Sequence, residues 1–349
     1  MATSRIHSPP PSMPVSTDET VEAAPAEIAL TQDPAHAPRR RGAVRTGMTS
    51  QAARDAEAAR AKTVRTANIP YERRDMPTDR EALVQLRSNA QLASFPYHRD
   101  ADRLPPGWQP DETLAGTMRS VLACRSGTGV QSPDGTIIDA ESALTAVLLR
   151  NKETRELVVS LGGTSAGKHT GETLAQRFAP GANFVSSLKQ WGANFKAAGG
   201  GVPQSYARAA ALLRTLQSHA KADPSLKGYR IRLVGHSKGA GEAMYASLNA
   251  ATPVRVTAFC PAHLHDSLVK SAKDRIAETK ELIESFSPQG DIVPALRGWV
   301  PSMHGIGIGH HFAGIQGRNP VDLHDQFHEH VQAYCDGMLK PQQPGNPVV

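Results

Sequence analysis

Apolar and polar positions divide the chain into three stretches. Residues 1–75 carry Pro, Ser, Ala, Thr and Arg, including Pro9-Pro10-Pro11, and few large apolar groups. Such a stretch buries too little surface to offset its ordering entropy, so it is expected to be a disordered tail. Residues 76–340 are patterned. Leu83, Leu86 and Leu92 recur at helical spacing from Asp79 onward, and Tyr206 to His219 repeats Ala and Leu in the same way. Between these lie apolar, β-branched runs. Glu156-Leu-Val-Val-Ser-Leu161 reads as a buried strand, and Ala143 to Leu149 is expected to pair with it as a hairpin. Ile231, Leu233 and Val234 mark a further strand, Val254 to Pro261 another, and Glu281 to Ser287 leads towards Gly290. Strands alternating with helices predict an α/β domain: a mainly parallel central sheet with helices on both faces. Residues 341–349 are expected to be a flexible end.

Composition narrows the class. The chain has 349 residues, of which 39% are hydrophobic, enough for a sizeable core. Its net charge of +6 suits an anionic membrane surface. The Arg39-Arg40-Arg41 run lies in the polar tail and reads as solvated charge, so no nucleic-acid partner is expected. Three widely spaced cysteines, Cys124, Cys260 and Cys335, suggest neither a disulfide framework nor a zinc ribbon. No apolar run approaches the roughly 20 residues that span a bilayer, and no signal-peptide core is visible. A cytoplasmic protein, or one exported without a cleaved signal, is therefore expected. The tail's first acidic residue is Asp18, and its Ser/Pro-rich composition resembles the export signals of bacterial effectors injected into host cells.

The chemistry centres on Gly235-His236-Ser237-Lys238-Gly239. This Gly-x-Ser-x-Gly follows the Tyr229–Val234 strand and precedes small, helix-compatible residues from Ala240 to Leu248. Strand, serine turn and helix form the context of a nucleophile elbow. The serine sits in a strained turn, so its neighbours two before and two after must lack bulk. Leu161-Gly-Gly-Thr-Ser-Ala-Gly-Lys168 leaves an earlier strand and admits two readings. As a phosphate loop it would use Lys168, but His169 stands where a magnesium-binding hydroxyl belongs. As an oxyanion loop it would supply Thr164, to act with the backbone N–H of Lys238. Phe178, Phe184 and Trp191 follow and are candidates for a lid or acyl-chain wall.

A serine needs a histidine base and an orienting carboxylate, which in chains built on a nucleophile elbow follow the serine as Asp/Glu and then His. Asp291, in Gly290-Asp-Ile-Val-Pro294, is the best placed acid, and Asp266 is its rival. His304, His310, His311, His324, His328 and His330 all follow. His324 and His328 are four apart, but no third ligand is marked by spacing, so no metal is expected.

Four stretches in order resemble the class 3, fungal-type lipases of the α/β-hydrolase superfamily. They are Glu156 to Thr164, Gly235 to Gly239, Thr257-Ala-Phe-Cys-Pro261 and Asp291-Ile-Val-Pro-Ala-Leu296. The resemblance covers roughly Leu104 to Leu339. It departs at Lys238 for leucine, Gly162 for arginine and Ala240 for glycine. Lys238 brings a charge to the site. The resemblance implies a lipase or phospholipase A that cleaves carboxylic esters of lipids without a cofactor. Its triad would be Ser237, Asp291 and a base followed by tyrosine three or four residues on. His330-Val-Gln-Ala-Tyr334 fits that best, with His324 the alternative. Two rivals remain: a catalytically inactive hydrolase-fold interaction module, and a nucleotide-binding protein using Lys168. Oligomeric state is not legible.

Overall fold

The computed structural model describes residues 71–123, 135–139, 141–163, 201–299 and 302–340. The expected tail lies outside them apart from its end, where Tyr71–Arg74 forms strand β1; the expected flexible end, 341–349, also lies outside. The chain continues with α1 (Arg80–His98), β2 (Trp108–Pro110), α2 (Glu112–Val121), β3 (Thr136–Asp139), β4 (Leu144–Asn151) and β5 (Glu156–Leu161). After residue 200 come α3 (Gln204–Ala222), β6 (Arg230–His236), α4 (Lys238–Leu248) and β7 (Val256–Phe259). Next are β8 (Leu264–His265), α5 (Asp266–Ser271), α6 (Ile276–Thr279), β9 (Ile283–Pro288) and α7 (Ile292–Trp299). The described chain ends with β10 (Met303–His304), β11 (Gly307–Phe312), α8 (Pro320–Asp325) and α9 (Phe327–Leu339).

Nine strands form one sheet in the order β1-β11-β9-β7-β6-β5-β4, with β2 and β3 both paired to β4. From β1 to β5 every pairing is parallel. The β4–β5 hairpin is antiparallel, with Leu149 opposite Val158. β8 and β10 form a separate small antiparallel ribbon.

The period of two sorts β4 between two cores. Ala146 and Leu148 join the core under α2, α3 and α4, whereas Val147 and Leu149 join the one under α1 and α9. Both faces of the sheet are covered, and the strands accordingly read as near-continuous apolar runs. Each buried leucine-sized side chain contributes roughly 1.5–3 kcal/mol. The result is an α/β domain with a mainly parallel sheet between two layers of helices, as the alternation of periods predicts.

Helix α1 matters for the site. Asp79 Oδ1 accepts from Ala82 N–H at 2.8 Å and caps its start. Leu83, Leu86, Ala90 and Phe95 line the buried face. Ser160 Oγ donates to the Leu92 carbonyl at 2.7 Å, fastening the helix to β5. The helix stops at Arg99, which takes a left-handed φ of 52°. Tyr97, in its last turn, is thereby delivered to the carboxyl ends of β5 and β6, where it meets Gly163 and His236.

Candidate active site

The site gathers residues that leave the carboxyl ends of parallel strands, the place where open α/β sheets bind ligands. Gly163 follows β5, Ser237 follows β6, Cys260 follows β7 and Asp291 follows β9.

Ser237 occupies the sharp turn between β6 and α4 with φ 59° and ψ −124°. A non-glycine residue in that region costs on the order of 1–3 kcal/mol, so the surroundings must hold it. They do so from three sides. Ser237 N–H donates to the Phe259 carbonyl at 3.0 Å, and the Ser237 carbonyl accepts from Ala262 N–H at 3.0 Å and Gly241 N–H at 3.3 Å. The flanking glycines are required by contact. A Cβ on Gly235 would lie 2.6 Å from the Gly239 carbonyl oxygen, and one on Gly239 would lie 2.2 Å from that of Leu161.

Asp291 follows a turn in which its N–H donates to the Pro288 carbonyl at 3.2 Å. Gly290, the third residue of that turn, has φ +89°, which favours glycine. The Asp291 carboxylate is 2% exposed and accepts from Val293 N–H at 2.8 Å. The buried Cys260 thiol also bonds to it; burial first, and this carboxylate second, push the thiol well above its ordinary range. Cys260 is therefore a neutral donor, not a thiolate.

His324 joins the two. Its Nδ1 lies 3.1 Å from Asp291 Oδ1 and 3.2 Å from Oδ2, and its Nε2 lies 2.9 Å from Ser237 Oγ. An ionised carboxylate only accepts, so Nδ1 carries the proton and Nε2 presents its lone pair to the serine hydroxyl. His324 rides on α8, whose start is capped by Asn319 accepting from Val321 and Asp322 N–H, both at 2.9 Å. Pro320 fills the first helical position, where no N–H is needed.

His330, the first choice for the base, is elsewhere. It is buried on α9, and its Nδ1 accepts from Ile315 N–H at 3.0 Å. It makes no hydrogen bond to Ser237. Three positions after His324 is Phe327, which stacks on the His236 ring at 4.1 Å and 11°. His324 and His328 also do not share one helical face, because the chain breaks at Gln326 between α8 and α9. Asp266, the rival acid, pairs with His304, and His310 Nδ1 accepts or donates nothing to the triad but bonds the Asp75 carbonyl at 2.7 Å.

Lys238 contributes two separate features. Its backbone N–H is the first of α4, one of the amides a helix leaves without an internal acceptor and hence an oxyanion donor candidate. Its side chain does not bring charge to the serine. The ammonium is buried, reaching Glu242 Oε1 and the Ala143 carbonyl, the latter at 3.0 Å. Burial raises the Glu242 carboxyl, and Lys238 opposes that rise.

Asp325, beside His324, has both carboxylate oxygens buried without a hydrogen bond. Burial pushes it up to about 6, with the nearby His324 pulling the other way. His236, Cys260 and His324 lie close enough to suggest a metal cluster. However, all four ring nitrogens already have hydrogen-bond partners and the thiol is held neutral. Thr164, Lys168, Phe178, Phe184 and Trp191 lie outside the described residues. No helix among the described residues is long and apolar enough to cross a membrane.

No family model matches the chain, and no curated protein sequence does. Solved structures similar to it include a lipase from Rhizopus microsporus var. chinensis, at 13% identity over 70% of this chain and 79% of that one, TM-score 0.40. Lip2 lipase from Yarrowia lipolytica matches at 12% identity over 69% and 82%, TM-score 0.44. A triacylglycerol lipase from Penicillium expansum matches at 15% identity over 68% and 82%, TM-score 0.39.

Proposed function

We propose that the chain is a serine hydrolase acting on carboxylic esters, with lipid esters of the lipase or phospholipase A type as its substrates. One observation carries the reading: the continuous hydrogen-bonded chain Ser237 Oγ, His324, Asp291 on a strained strand-to-helix turn. Ser237 Oγ attacks the acyl carbonyl while His324 Nε2 takes its proton. The charge that develops on the carbonyl oxygen meets the Lys238 backbone N–H, with the residue at Thr164 proposed as the second donor. Asp291 holds the imidazole with Nδ1 protonated and stabilises the imidazolium. His324 then gives the proton to the departing alcohol oxygen as the acyl–alcohol bond breaks. Water repeats the sequence, releasing the acid and restoring Ser237. No metal or redox group enters this sequence. A membrane or micelle surface as the place of action follows from the lipid reading and the net charge of +6.

The test uses the full chain and its Ser237→Ala form with a fluorophosphonate probe and short- and long-chain nitrophenyl esters. Labelling and hydrolysis that disappear with Ser237 support the reading, and a rise in kcat/KM with acyl length supports lipid esters. Equal labelling of both forms overturns it. Asp291→Asn, which keeps the shape but loses the charge, is expected to lower kcat by about 10⁴.

A further inference from the structure

Three parts of the candidate site are tied together by a hydrogen-bond chain that includes none of the triad side chains. Gly163 N–H donates to Tyr97 Oη at 2.6 Å. Tyr97 Oη lies 2.9 Å from His236 Nδ1, and His236 Nε2 lies 2.9 Å from the His324 backbone carbonyl. Gly163 begins the loop after β5, His236 is the residue before the candidate nucleophile, and His324 is the candidate base. A Cβ on Gly163 would lie 3.2 Å from the Cβ of Ser237, so Gly163 itself lies directly against the serine.

Every proton in this chain has a defined place. A backbone carbonyl only accepts, so His236 Nε2 carries a hydrogen. Burial keeps the His236 ring neutral, so Nδ1 offers a lone pair and Tyr97 O–H must donate to it. The Tyr97 oxygen is then left to accept from Gly163 N–H. Burial also keeps the phenol protonated. The chain thus has one direction, from the Gly163 amide to the His324 carbonyl, and no member can be reversed without leaving a buried group unpaired.

Packing fixes the rings that carry it. His236 stacks on Phe327 at 4.1 Å, the His324 ring lies against it at 4.5 Å with a tilt of 37°, and Tyr97 meets it edge-on at 5.5 Å. The His236 ring is therefore in contact with the imidazole of His324 as well as bonded to its backbone.

We infer that Tyr97 and His236 are positioning residues for the acyl-transfer step, setting the His324 ring and Gly163 against Ser237 before substrate arrives. This rests on the reading of Ser237 as nucleophile. Small misplacements of such groups are costly: about 1 Å can lose on the order of 10²-fold in rate. The hydroxyl of Tyr97 touches no reacting atom, so its loss acts through orientation and falls on kcat.

The experiment compares wild type with Tyr97→Phe, His236→Phe, His236→Gln and the double variant Tyr97→Phe/His236→Phe. Thermal melts confirm that each is folded, and fluorophosphonate titration counts competent sites. Tyr97→Phe is expected to lower kcat per site by about 10- to 100-fold with KM changed less than about threefold. His236→Phe keeps the stacked ring and loses both hydrogen bonds, and is expected to lose as much or more. His236→Gln can still donate to the His324 carbonyl and should recover at least about tenfold over His236→Phe. Because both residues serve one chain, the double variant should lose no more than the worse single. A folded Tyr97→Phe with wild-type kcat, or losses that multiply in the double, would overturn the inference. Nitrogen-15 spectra of the imidazoles give a readout independent of turnover. His236 should be the neutral Nε2–H tautomer, and a protonated or Nδ1–H ring would also overturn it. Failure of the hydrolase reading is a separate result, namely labelling that persists in Ser237→Ala.

Discussion

His324 Nε2 stands 2.9 Å from Ser237 Oγ, while Nδ1 of the same ring stands 3.1 Å from Asp291 Oδ1. His330 has no such pair of contacts; its Nδ1 is engaged by Ile315 N–H. Replacing each histidine in turn separates their roles. His324→Ala is expected to lower kcat for ester hydrolysis by on the order of 10⁴ or more, as loss of a triad member does. His330→Ala should reduce thermal stability, since the ring is 1% exposed, but leave kcat per titrated site within about tenfold. Comparable kcat losses in both variants would refute this division.

The elbow glycines should be intolerant of a side chain in a way that Gly337 is not. Gly239→Ala would bring a methyl to 2.2 Å from the Leu161 carbonyl oxygen and 2.9 Å from the Gly162 carbonyl carbon. These are backbone atoms of the sheet and its loop, so they have little room to yield. A loss of about 3 kcal/mol or more is expected, at the upper end of overpacking costs. Gly337 lies on α9 and a Cβ there would meet nothing within 4 Å. Gly337→Ala should instead stabilise by roughly 0.5–1 kcal/mol through helix propensity and a less flexible unfolded chain. Urea melts of the two variants test the contrast; similar effects would count against the contact argument.

What the sequence made legible follows from how local each signal is. The β4–β5 hairpin, α1, α3 and the strand into Ser237 all show their own periodicity, and each is present. Ser237 announced itself because the steric demand of its turn falls on Gly235 and Gly239, two positions away. Asp291 lies beyond a strand end and a Gly290 turn, again a local mark. The candidate base is different. His324 reaches Ser237 across 87 residues of chain, and α8 carries no feature that selects it over its neighbours. Tyr97 left no mark at all, because its role depends on where α1 ends in three dimensions. Lys238 was misjudged for a related reason. Adjacency to Ser237 suggests charge at the site, but at the start of α4 its side chain turns to Glu242, one helical turn on.

That Lys238–Glu242 pair predicts an asymmetric pattern of substitution. Both groups are buried, Glu242 fully so. Lys238→Met would leave the carboxylate without its cation and is expected to cost about 3–5 kcal/mol at neutral pH. Removing both charges, as Lys238→Met/Glu242→Leu, should recover most of that loss, because neither partner is then stranded. The single variant should also be less impaired at pH 4 than at pH 7, since Glu242, already raised by burial, can take a proton there. A double variant no more stable than the single would show that the pair is not what holds this end of α4.

Asp325 gives a pH dependence whose sign can be worked out. Its ordinary value is 3.8, and burial pushes it up to about 6, against the pull of His324. A raised carboxyl binds its proton more tightly in the folded state. On raising the pH the unfolded chain releases this proton first, so the residue withdraws stability progressively between about 4 and 6. Above that window the folded protein carries a buried carboxylate with no hydrogen bond to either oxygen. Asp325→Asn removes the charge at nearly constant shape. It should raise stability by roughly 1–3 kcal/mol at pH 8 and change it little at pH 4, as read from thermal melts at the two values. A stability gain equal at both pH values would show that packing, not charge, was relieved.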